Sequence, residues 1–169
     1  MTATLWQRLD LAARSLSPLT FTILLLIVGL VPLRIPYLPP LGTNLMLVSV
    51  YYWAVHRPSI LPAPAVFLVG LLADLLGGGP LGVCVLVLLA AYGATLSLRR
   101  WFVGASFVIV WCGYAIVAAG GLMLSWLLSW MLSGMRADLA PGISGLLVGI
   151  GIYPLLAGLF ARAQRVILR

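Results

Sequence analysis

Apolar residues run through this chain in long blocks, and polar residues mark the joints between them. The blocks are Leu16–Leu33, Leu41–Val55, Ala63–Leu76, Leu81–Leu98, Phe102–Leu132 and Pro141–Phe160, separated by Pro, Gly or Arg clusters. Between Leu16 and Leu132 only Arg34, Arg57, Asp74, Arg99 and Arg100 carry charge, five side chains in 117 residues. A soluble globule of this size must cover itself largely with polar groups, so the solvent for most of this surface is expected to be lipid. Backbone groups cannot go unpaired there, and the blocks are too long and too uniformly apolar for barrel strands. The pattern predicts helices. The expected architecture is an all-α integral membrane protein, a six-transmembrane-helix bundle forming one domain over residues 1–169.

The first fifteen residues follow another pattern. Leu5, Leu9, Ala12 and Leu16 fall on one face at spacings of three and four, while Arg8, Asp10 and Arg14 lie elsewhere. This predicts an interfacial amphipathic helix over residues 1–15, ending before Ser17-Pro18. No A-x-A-like cleavage site follows the first apolar run, so a secretory leader is not expected.

Composition agrees: 63% hydrophobic, 8% charged, and a mean hydropathy of +1.18. The positions of the ten arginines then predict orientation. With six spans, Arg8, Arg14, Arg57, Arg99, Arg100, Arg162, Arg165 and Arg169 share one side, and only Arg34 and Arg136 occupy the other. The positive-inside rule places both termini in the cytoplasm. The net charge of +7 is thereby a topology signal, with attraction to anionic membrane lipid as a by-product, and it does not mark a nucleic-acid binder. Tyr51, Tyr52, Trp53 and Trp101 are expected at the inner interface, and Trp126 and Trp130 toward the outer one.

Two blocks, Leu41–Val55 and Ala63–Leu76, make straight helices of only about 22 Å. Either neighbouring helices shield them, or the bilayer thins locally, or they form a re-entrant hairpin that leaves Arg57 outside. Six full spans keep the better arginine split and are preferred. A cysteine placed at Ser59 and labelled from each side would separate the two arrangements.

The inventory for catalysis is thin. The chain has no Glu, no Lys, one His and three Asp. His56 lies beside Arg57 in a connection with no carboxylate near it in sequence, so a solvated or interfacial role is expected. Cys84 and Cys112 fall in different spans and form no C-x-x-C or Cys/His cluster, which points to packing and not to a disulfide or metal. Ser144 lies opposite the lone histidine across the membrane. No enzyme, cofactor or metal site is expected, and one ionisable group near the end of a span builds no ion path.

Small residues recur at helical spacing. Gly70, Ala73 and Gly77 line one face of the third span; Gly142, Gly145 and Gly149 line the sixth. Ala90 and Ala94, with Gly113, Gly120 and Gly121, add further smooth surface. Helices in lipid associate through close backbone approach, so these are contact faces within the bundle or toward a partner's helix or a second copy. Asp74 precedes Gly77-Gly78-Gly79-Pro80-Leu81-Gly82. Pro80 suits the first turn of the next helix, and the glycines permit a tight reversal whose N–H groups an ionised Asp74 can accept, together with the positive end of that helix. Asp74 is read first as a structural staple of the turn; the functional alternative is pairing with a cation on another chain. Pro58, Pro62 and Pro64 stiffen the second connection, and Arg57 can reach lipid phosphates beneath it. Pro154 is expected to bend the sixth span and free the carbonyl of Ile150, with Tyr153 beside it as a hydrogen-bond donor inside the bundle.

The run Tyr51-Tyr52-Trp53, Arg57-Pro58, Pro62, Phe67, Gly70-Leu71-Leu72-Ala73-Asp74-Leu75-Leu76 and Pro80-Leu81-Gly82 resembles the bacterial rod shape-determining MreD family. The likeness in layout covers essentially the whole chain; its specific part is residues 51–82. The resemblance implies a bundle similar to the substrate-binding subunits of energy-coupling-factor transporters. It also implies a non-catalytic role in the elongasome of the bacterial cytoplasmic membrane. MreC, through its transmembrane helix, is the implied direct partner, with MreB reached indirectly alongside RodA and a class B penicillin-binding protein. No cofactor or catalytic residue comes with it. The candidate partner-binding or structural positions are Gly70, Ala73, Asp74, Gly77, Gly79, Pro80, Gly82, Arg57 and Pro58. The alternative is a small-molecule-binding subunit of a transporter, for which Asn44, Asp74, Tyr37 and Arg136 are the polar candidates near the outer face.

Overall fold

A computed structural model describes residues 22–27, 42–58, 61–78, 80–133 and 139–167. All regular structure among these residues is helical: part of a first helix α1 (22–27), then α2 (Gly42–His56), α3 (Ala63–Gly77), α4 (Val83–Phe102), α5 (Phe107–Ser133) and α6 (Leu139–Ile167). Three of them, Val83–Phe102, Phe107–Leu132 and Ala140–Arg162, are long and apolar enough to cross a membrane. The expected amphipathic helix over 1–15 lies outside the described residues, as do Arg34, Tyr37, Gly79 and Arg136.

Helix α2 is the axis. Every residue from Leu45 to Val55 is buried, on all sides of the helix. A helix with apolar residues all round has no face to give to water and must be enclosed. Helices α3, α4, α5 and α6 pack in sequence, each against the next, and each also touches α2. The α1 segment joins this core through a buried contact between the Thr22 and Ser49 hydroxyls, 2.8 Å apart. Neighbouring helices thus shield the short second block.

This enclosure corrects one expectation. Tyr51, Tyr52 and Trp53 are buried in the core instead of lying in an interfacial belt. Tyr51 packs edge-on against Phe102, Tyr114 and Tyr153, while Tyr114 and Tyr153 stack at 4.8 Å. The phenol of Tyr51 donates to the Val110 carbonyl at 2.9 Å. Such rings approach this closely because Gly113 and Gly149 leave room. A Cβ on Gly113 would meet the Phe102 ring at 2.5 Å, and one on Gly149 the Tyr114 hydroxyl at 2.9 Å.

The outer surface is apolar: Ile116 is 71% exposed, Met123 74% and Leu155 75%. Boundaries shift most from the sequence reading at the end of α6, which continues to Ile167, and at the joint between α4 and α5. Phe102 belongs to the end of α4, and α5 starts five residues later. Val103 leaves the helix in an extended conformation, and Gly104 follows it with φ +84°.

Candidate functional site

Asp74 stands at the carboxyl end of α3, and only 6% of its surface is exposed. Its Oδ2 accepts from the Gly82 and Val85 N–H groups at 2.9 and 3.3 Å, and its Oδ1 from the Cys84 N–H at 3.0 Å. Helix α4 has no side-chain cap of its own, since its N-cap residue is Gly82. The first N–H groups of a helix lack intrahelical acceptors, and the aligned peptide dipoles favour an anion there. Asp74 supplies that anion from the preceding helix. The donors are Gly82, the last glycine of the turn, and Cys84 and Val85 in the first turn of α4. Pro80 differs from expectation. It precedes α4 instead of opening it, and its carbonyl receives the Val83 N–H at 3.4 Å. The reversal itself relies on Gly78 and Gly82, with φ of +66° and +95°.

The candidate glycine face divides. A Cβ on Gly70 would come within 2.8 Å of the Val85 Cα, so Gly70 permits the close crossing of α3 and α4. Ala73 is buried beside it. These two positions are inside the bundle and cannot form an open partner-binding face. Gly77 is exposed, and a Cβ there would meet nothing within 4 Å. Two of the α6 candidates also face inward: Gly142 lies against Leu122, and Gly149 against Tyr114 and Asn44. On α4, by contrast, Ala90, Gly93 and Ala94 are exposed.

Beside Asp74 is a cavity of about 460 Å³, lined by Asn44, Ala73, Ser125, Ser129 and Gly142 among others. It brings together Asn44 and Asp74, two of the four polar candidates for a small-molecule pocket. Both Asp74 oxygens already hold α4.

The opposite end is built on Arg99. Its Nε donates to the Val55 carbonyl at 3.0 Å, satisfying an end carbonyl of α2 and placing a cation at that helix's negative pole. His56 donates from Nδ1 to the Tyr52 carbonyl at 3.0 Å and stacks on the Tyr52 ring at 4.2 Å. Arg57 is exposed and continues the helical bonding, its N–H reaching the Trp53 carbonyl at 2.8 Å; Pro58 follows, half-buried. A second cavity, about 550 Å³, opens between these groups and α5 and α6. Sequence reasoning missed this grouping. The Arg99-Arg100 pair was its only signal, and it was read for topology alone.

Pro154 lies inside α6 without ending it. The Ile150 carbonyl that it deprives of a partner receives the Trp111 Nε1–H at 3.0 Å. Among the described residues no three His, Cys, Asp or Glu side chains gather as metal ligands. Cys112 is exposed and Cys84 half-buried, and neither is in a disulfide.

Compared with known proteins, the chain matches no protein family, no curated protein and no solved structure.

Proposed function

We propose that this protein is a non-catalytic, six-span scaffold of the bacterial cytoplasmic membrane, with both termini cytoplasmic, acting in rod shape and lateral peptidoglycan synthesis as MreD-like proteins do. It holds the transmembrane helix of MreC and is coupled to MreB, RodA and a class B penicillin-binding protein. The observation that carries this reading is the commitment of Asp74. This ionisable centre of the G-L-L-x-D-L-L…P-L-G pattern gives both oxygens to capping α4, so the most specific motif in the chain is architectural. Tyr51, Arg99 and Trp111 likewise bond to backbone carbonyls of neighbouring helices. What the molecule turns outward is apolar side chains and small residues, the surface by which helices associate in lipid.

Affinity purification from the native membrane tests this. MreC and wall-synthesis enzymes are expected to co-purify. Gly77→Leu, at an open position, is expected to release MreC while the protein stays inserted; unchanged recovery would remove Gly77 from the binding surface.

A second reading, a small-molecule-binding transporter subunit, is favoured by the cavity shared by Asn44 and Asp74. It requires a tightly bound solute and an ATPase module in the same purification in place of MreC.

A further inference from the structure

We propose that the cavity at the Arg99 end binds an anionic phospholipid, its phosphate against the Arg99 guanidinium and its acyl chain between α5 and α6. This goes beyond scaffolding and requires only that the protein reside in a bilayer. The cavity of about 550 Å³ is walled by Tyr52, Phe102, Phe107, Tyr153, Pro154 and Ala157. Its surface is chiefly aromatic and aliphatic, which suits a hydrocarbon chain. Arg99 and His56 add polar groups to the lining. Arg99 is half-buried and anchored through Nε to Val55, and its terminal amino groups have no partner among the described residues. A guanidinium held by one donor keeps its other donors aimed, which is the geometry that binds phosphate oxygens. His56 lines the same cavity, its Nδ1 tied to Tyr52 and its Nε2 free among the described residues.

Charge complementarity selects the headgroup. Arg57 and Arg100 are exposed at this end of the bundle, and the only carboxylate side chain among the described residues, Asp74, is at the other end. The cavity also borders the start of α5 at Phe107, in the first turn, where helical N–H groups lack intrahelical acceptors. A zwitterionic headgroup would bring its own cation against Arg99. A lipid with a net negative charge does not.

The test is native mass spectrometry of the full chain in detergent, titrated with dioleoylphosphatidylglycerol and with dioleoylphosphatidylcholine. The two lipids share acyl chains and differ in net charge. The glycerol lipid is expected to bind about tenfold more tightly, and Arg99→Leu to remove that preference, a difference of about 1.4 kcal/mol. Gly158→Leu places a side chain in the cavity wall where an added Cβ meets nothing within 4 Å, and it is expected to weaken both lipids while the fold survives. It keeps the test decisive if Arg99→Leu fails to fold. Equal binding of the two lipids, or unchanged binding in both variants, would overturn the proposal. So would full displacement by excess inorganic phosphate, which would assign the site to a soluble phosphate compound. Failure here leaves MreC recovery untouched, so the two readings fail separately.

Discussion

At one end of the bundle Asp74 gives both oxygens to three N–H groups at the start of α4; at the other, Arg99 gives one donor to Val55 and lines a cavity. Both side chains finish a neighbouring helix, one at its positive pole and one at its negative pole. Their chemistry makes the outcomes different. A carboxylate on a short stem, almost fully buried, must have its lone pairs satisfied on the spot, because an unpaired buried charge is costly. A guanidinium carries five donors on a long stem, so one bond fixes it while its other edge stays at the surface. The Asp74 carboxylate is therefore fully engaged in its joint, while the Arg99 guanidinium keeps donors beyond its bond to Val55.

The largest break in this comparison should come from Asp74→Ala. It leaves the Gly82, Cys84 and Val85 N–H groups without their acceptor, and a loss of about 3 kcal/mol or more is expected. Asp74→Asn retains one acceptor oxygen and should fall between. Thermal unfolding in detergent reads both, and an unchanged midpoint for the alanine variant would mean the joint is held by packing alone. Next in size is Gly70→Leu. Its Cβ alone would lie 2.8 Å from the Val85 Cα, so α3 and α4 must separate, at about 1–3 kcal/mol. Gly77→Leu at the same end should leave the melting midpoint near the parent's, isolating the partner readout from the fold.

A smaller effect sharpens the Arg99 end. Trp111→Phe removes the donor to the Ile150 carbonyl and should cost about 1 kcal/mol. In a Pro154→Ala background the helix regains its own N–H for that carbonyl, and the penalty should shrink. A double-mutant cycle on the melting midpoints measures the coupling. Additive effects would show that Trp111 does not replace the missing backbone bond.

How much of this was legible varies by element. The limits of α2 and α3 fall within one residue of the apolar blocks that predicted them, since proline and glycine punctuate both ends. The end of α4 did not read as well. Arg99 and Arg100 look like a boundary, yet long basic side chains extend a helix while their heads reach the surface, and the stop comes later, at the extended Val103. The Ile150 carbonyl freed by Pro154 was readable because proline chemistry is local. Its partner Trp111, thirty-nine positions away, was not.

Tyr51, Tyr52 and Trp53 show the same division on the scale of a helix. Their aromatic character placed them at an interface, but α2 is enclosed on every side and they became its packing. Hydrophobic blocks and their breakers act through near neighbours, so the sequence by itself determined that the chain is helical, where most helices lie, and that its outside is apolar. Which face each helix buries depends on what reaches it from elsewhere in the chain. Only the tertiary structure decided that α2 is the axis, that Asp74 caps α4 from a neighbouring helix, and that Arg99 fronts a cavity, because each follows from side chains meeting across helices.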